Sequence, residues 1–178
     1  MLIPRQTVPS LEVLTLEHGA FSIASDQPER FSLVVFFRGL HCPLCVKYLK
    51  ELGALLPELD KRGVKVIAIS SDDETRAREM AAKVGVPDLA FGYGLPLATA
   101  RAWGLYISEG IGKTSSGYEE PALFAEPGVF LVRPDQTLYY GAVQTMPFAR
   151  PSFTDLMMAI DFSVSKNYPA RGEYTGAV

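Results

Sequence analysis

Cys42 and Cys45 are the only thiols among the 178 residues, and they lie three positions apart. Side chains at this spacing share one face of a helix, so the two sulfurs can come within bonding distance. A disulfide closing so short a loop gains little from chain entropy, which makes stabilisation a poor reason for it. The chemistry that suits the spacing is reversible dithiol–disulfide redox. An inert pair of buried thiols is the bland alternative, and a metal site is the third. Structural zinc wants four Cys or His ligands, and beside the pair the chain has only His41 and the distant His18. A covalent haem motif needs a histidine directly after the second cysteine, where Val46 stands. No cofactor and no metal is expected.

The residues around the pair say how it is held. Phe31-Ser32-Leu33-Val34-Val35-Phe36-Phe37 is almost wholly apolar and β-prone, which predicts a central strand covered on both faces. Pro43 suits the first position of a helix, where its missing N–H costs nothing. Cys45, Leu49, Leu52, Leu56 and Leu59 then make one apolar stripe of a helix running to about Lys61. Pro57 should kink it by removing its bond to Gly53, and Gly63 ends it. Cys42 thus sits at a helix N-terminus, whose free N–H groups and dipole favour a thiolate. Such a site lowers a cysteine pKa from about 8.5 to roughly 3.5–7.5. Arg38 and His41 are the local cations expected to tune it, and Arg38 is a candidate for binding an anionic substrate. Cys42 is the expected nucleophile, with Cys45 one turn deeper.

The remaining elements follow from pattern. Residues 10–25 read as a hairpin around His18-Gly19. Val64 to Ile69 is a second buried strand, and Ser71-Asp72-Asp73-Glu74 caps a helix stopped by Gly85. A short apolar piece at Leu89 to Phe91 precedes a brief helix from Pro96 to Trp103. Residues 108–121 read as a long loop. Gly128 to Val132 and Thr137 to Tyr140 form a hairpin around Pro134-Asp135. Ser152 caps the last helix, with Phe153, Met157, Ile160 and Val164 inward, and the tail 166–178 reads as irregular. Pro127, just before a strand-like run, is a position where sheets tolerate proline.

Strands alternating with helices, closed by a hairpin and a helix, predict an α/β chain with a central mixed sheet in three layers, α/β/α, as one domain over 1–178. This is the layout of a thioredoxin-like fold with an N-terminal hairpin. Apolar residues make up 48% and charged residues 21%, a globular composition. The net charge of −3 is spread without a basic block, so no nucleic-acid partner is expected. No apolar stretch is long enough for a bilayer and the N-terminus lacks a signal pattern, so a cytoplasmic location and no membrane partner are expected. A homodimer is compatible with the sequence.

Phe36-Phe37-Arg38-Gly39-Leu40-His41-Cys42-Pro43-Leu44-Cys45, followed by a leucine-rich helix and Val66-Ile67-Ala68-Ile69-Ser70, resembles the redoxins. Within them the chain is similar to the peroxiredoxin-like branch of the alkyl hydroperoxide reductase/thiol-specific antioxidant family. Tyr168-Pro169-Ala170-Arg171-Gly172 strengthens the likeness. The resemblance implies a thioredoxin fold and a cis-proline at Pro127 facing the dithiol, with the flanking backbone at Glu126 pairing to a bound substrate. It also implies a Pro-x-x-x-Thr-x-x-Cys pattern and a distant arginine that activate a peroxide-attacking cysteine. On this chain the pattern falls on Arg38, Cys42 and Cys45, so Arg38 replaces the proline, Cys42 replaces the threonine, and only Cys45 matches the peroxide-attacking cysteine. The arginine would fall near Pro127. With two activating side chains out of place, the leading expectation is a thiol–disulfide oxidoreductase in which Cys42 attacks a substrate disulfide and Cys45 resolves the mixed disulfide. The alternative is a thiol peroxidase, in which one cysteine becomes a sulfenic acid and the other condenses with it. A non-catalytic binding module is the third reading. Both enzyme readings imply an electron donor such as a small thiol or a thioredoxin system.

Overall fold

A computed structural model describes residues 2–178. In chain order the elements are β1 (Glu12–Thr15), β2 (Ala20–Ser22), β3 (Phe31–Phe36), α1 (Pro43–Ala54), α2 (Leu56–Asp60), β4 (Val64–Ile69), α3 (Glu74–Val84), β5 (Ala90–Tyr93), α4 (Leu97–Ala102), β6 (Ile107–Glu109), β7 (Leu123–Ala125), β8 (Gly128–Val132), β9 (Leu138–Val143) and α5 (Phe153–Ser165). The main sheet runs β2-β1-β5-β4-β3-β8-β9, and β6 pairs with β7 in a separate ribbon. Only the β3–β4 and β4–β5 pairs are parallel, so the sheet is mixed and its parallel part is central. This is the thioredoxin-like fold with an N-terminal hairpin.

Strand β3 is buried at every residue because it has a strand on each side and a helical layer over each face. Its side chains alternate between two cores, as the period of two requires. Leu33 and Val35 join Leu49, Leu52, Met80 and Ile160 from α1, α3 and α5. Val34 and Phe36 join Leu11, Val13, Ala100 and Trp103 on the other side. The carboxyl end of β3 therefore emerges between two packed layers, which fixes where α1 can begin.

Four expectations are corrected. The helix from Pro43 to Lys61 is two helices broken at Leu55, and Pro57 lies in the first turn of α2, where its lack of an N–H is harmless. On α5 the buried positions are Phe153, Leu156, Ile160 and Ser163, while Val164 is exposed. The segment 108–121 is a loop only in part, since Ser108 and Glu109 belong to β6. Asp73 alone caps α3, accepting from the Arg76 N–H at 2.9 Å. Asp72 is buried and turned inward.

That inward carboxylate holds the junction ahead of α1. Asp72 accepts from the Leu40 N–H at 2.7 Å and from Arg76 Nε at 2.8 Å. Gly39 has φ 134, and a Cβ there would overlap the Asp72 carboxylate. Gly39→Ala should therefore lower stability by about 2 kcal/mol or more, read as a fall in the unfolding midpoint. An unchanged midpoint would show that the junction tolerates a side chain.

Candidate active site

Cys42 is the N-cap of α1 and Pro43 follows at the first helical position. The β3–α1 turn is closed by the Cys42 N–H to the Gly39 carbonyl at 3.1 Å, and the Cys45 N–H bonds the Cys42 carbonyl at 3.0 Å. Both cysteines are free thiols. Cys42 is 2% exposed and Cys45 not at all. The spacing places the sulfurs on one helix face, as the sequence predicts.

A third group meets them that sequence reasoning missed. Arg150, in the segment between β9 and α5, donates from Nη2 to Cys45 Sγ at 3.1 Å and to Cys42 Sγ at 3.7 Å. Its Nε donates to the Pro147 carbonyl at 2.8 Å, and its guanidinium lies over the Tyr48 ring at 4.9 Å. No carboxylate pairs with it among the described residues. The signal in the sequence was slight: one basic residue in a polar connection more than a hundred positions from the thiols.

The two thiols are driven apart in acidity. Cys42 is lowered to about 6, first by the hydrogen bond it receives from Cys45, against the cost of burial, and then by the charge of Arg150. Cys45 is pushed well up, chiefly by its complete burial and then by sharing that hydrogen bond as the donor. Arg150 lies nearer to Cys45, yet burial outweighs that proximity. The arrangement favours the thiolate on Cys42 over Cys45.

His41 does not act as expected, and Arg38 does so only weakly. The His41 ring is fully buried against Phe124, with centroids 4.6 Å apart and both ring nitrogens unpartnered. Burial, and then the charge of Arg38, lower it to about 4, so it is neutral near pH 7 and supplies no cation to Cys42. Arg38 ion-pairs with Glu120 and with Glu126, each at 3.3 Å, and lies over Phe124 at 4.6 Å. Two carboxylates compensate its charge, which leaves it a minor influence on Cys42. Its structural effect is to hold β7 and the preceding loop against the β3–α1 junction.

Glu126 is buried, accepts from the Ser108 hydroxyl at 2.6 Å, and its N–H bonds the Tyr106 carbonyl at 2.8 Å. The Pro127 carbonyl accepts from the Gln144 N–H at 3.0 Å. These backbone groups are engaged within the protein. The cis peptide expected before Pro127 is corrected: no cis bond occurs among the described residues, and the chain runs extended from β7 into β8 with the ordinary trans geometry.

Among the described residues, no cluster of three or more His, Cys, Asp or Glu side chains is arranged to hold a metal. No helix among them is long and apolar enough to cross a membrane.

Comparison with known proteins agrees with this architecture. A model of the AhpC/TSA family matches residues 4–141. None of the curated proteins matches the chain. Among solved structures, a mutant of peroxiredoxin 6 from Arenicola marina is similar with a TM-score of 0.75 at 17% identity, over 94% of this chain and 76% of that one. The 2-Cys peroxiredoxin of Plasmodium vivax in its reduced form is similar with a TM-score of 0.74 at 12% identity, over 100% of this chain and 92% of that one. AhpC of Enterococcus faecalis gives 0.72 at 16% identity, over 94% and 97%. At these identities the structures speak for the fold. The family match, which covers most of the chain and includes the β3–α1 junction with both thiols, makes this protein a member of the AhpC/TSA family and a thiol-dependent oxidoreductase.

Proposed function

We propose that the chain is a thiol peroxidase that reduces hydroperoxides with the dithiol Cys42–Cys45. The observation that carries this reading is the Arg150 guanidinium bonded to both sulfurs in an enclosed site. The arginine that the peroxidase reading lacked in sequence is supplied from another place in the fold. Burial weighs the same way. Attack on a protein disulfide needs a sulfur that projects from the surface, whereas both sulfurs here are almost wholly covered.

In the proposed cycle the Cys42 thiolate attacks the terminal peroxide oxygen. An S–O bond forms, the O–O bond breaks, and the leaving oxygen departs as an alcohol or water after taking a proton. Arg150 stabilises the charge that grows on that oxygen, as a fixed donor in a low-dielectric site does. Cys42 is left as a sulfenic acid. Cys45 sulfur then attacks it, the S–S bond forms, and water leaves. Two electrons have passed from the dithiol to the peroxide, and an external thiol donor, small or protein-borne, returns them. Cys42 takes the attacking role because it is the more acidic sulfur and keeps the residual exposure.

Three outcomes test this. Cys42→Ser should abolish peroxide turnover, while Cys45→Ser should react once and accumulate a sulfenic acid on Cys42, detected by mass spectrometry after dimedone trapping. A sulfenic acid found only on Cys45 would reverse the roles. Arg150→Gln should slow peroxide-driven thiol loss by about 100-fold, and a rate within a few-fold of wild type would remove the arginine from the mechanism. Because Cys42 ionises at about 6, the rate should climb with pH up to that point and level off above it. A rate still climbing to pH ~8.5 would identify an ordinary thiol.

A further inference from the structure

Arg150 is a cation in a partly buried position with no carboxylate partner among the described residues, so what holds it beside the dithiol is not an ion pair with Asp or Glu. The group that does so is Tyr48, one turn along α1 from Cys45. Its ring is buried, stacked on Phe153 with centroids 4.2 Å apart, and it presents a face to the guanidinium. Its hydroxyl donates to the Pro151 carbonyl at 2.7 Å, the residue directly after Arg150. One side chain thus grips both the charge and the backbone that carries it. The grip leaves the charge intact, because an aromatic face attracts a cation without neutralising it. A guanidinium held in this way still has its full field to offer the sulfurs.

We infer that Tyr48 is the positioning residue for Arg150: it sets the guanidinium over Cys42 and Cys45 and so determines how readily the dithiol ionises. This inference rests on the proposed role of Arg150 and extends it to a residue that touches neither sulfur. The groups that bear on the thiols are Arg150 from the β9–α5 segment and Arg38 from the end of β3. Those facing Tyr48 are Arg150, Tyr140 on β9 and Glu51 on its own helix. Arg38 is tied to two carboxylates, so Arg150 is the cation whose displacement the thiols register.

The test compares Tyr48→Leu, Tyr48→Phe, Arg150→Gln and the Tyr48→Leu/Arg150→Gln pair. The readout is the pH dependence of alkylation by iodoacetamide, which reports the thiolate whether or not peroxide is the substrate. Tyr48→Leu should move the titration about one unit alkaline, seen as a roughly tenfold slower alkylation at acidic pH. Tyr48→Phe keeps the ring and loses the hydroxyl, and should move it about threefold in the same direction. The double variant should titrate like Arg150→Gln alone, since a residue acting through another adds nothing once that other is gone. Where Tyr48→Leu does not fold, the Tyr48→Phe titration decides, and no shift in it overturns the inference. Effects of Tyr48→Leu and Arg150→Gln that multiply also overturn it, because Tyr48 would then act by a separate route. Loss of peroxide turnover on Arg150→Gln with these titrations as expected supports both readings. Titrations as expected without any peroxide turnover in wild type would leave the positioning role standing and the peroxidase reading overturned.

Discussion

A charge taken out of water must be met by an opposite one or it will destabilise whatever encloses it. Arg150 meets that demand with sulfur. With no carboxylate beside it among the described residues, its favourable state is the one in which the dithiol carries a negative charge, and Cys42 is acidic first through the hydrogen bond from Cys45 and then through the charge of Arg150. Each group makes the other tolerable in an enclosed site. The ring of Tyr48 and the carbonyl of Pro147 also contact the guanidinium without competing for the charge, and its Nη1 is left without a partner.

The fold serves this contact by fixing both ends of it. One end is the β3–α1 junction, where a strand buried on all sides leaves the sheet and a short turn leads into the first helical turn. Asp72 bonds the Leu40 N–H from the next crossover, and only glycine fits beside that carboxylate at position 39. The other end is the segment before α5, anchored by the Ser152 cap and the Tyr48 hydroxyl. Between them the β6–β7 ribbon and its loop close over His41, with the Arg38 ion pairs as the fastening. Charged groups near a thiol are thus of two kinds here. Arg38 is paired with two carboxylates, while Arg150 meets no carboxylate among the described residues and bonds both sulfurs.

Much of this was legible in local pattern. The strand Phe31–Phe36, the helix opening at Pro43, the sulfur pair on one helix face and the N-cap place of Cys42 all follow from residue type and period. Those signals are local, and short-range sterics and periodic burial decide them. What was misread had non-local causes. His41 looked like a cation because a loop histidine is ordinarily solvated, but the ribbon buries it. Arg38 looked free because Glu120 and Glu126 are more than eighty positions away. The turned face of α5 follows its packing, with Phe153, Leu156 and Ile160 in the core shared with α1 and α3.

Sequence by itself determined that two thiols would sit at a strand–helix junction, since hydrophobic period, a proline and a three-residue spacing suffice for that. Tertiary structure alone decided which cation they would meet. Charge acts through space and is blind to chain order, so no pattern around Cys42 could tell that Arg38 would be quenched and Arg150 brought in unpaired. The dithiol and the hydrogen bond between its sulfurs belong to the local chain, and the guanidinium that meets them belongs to the fold.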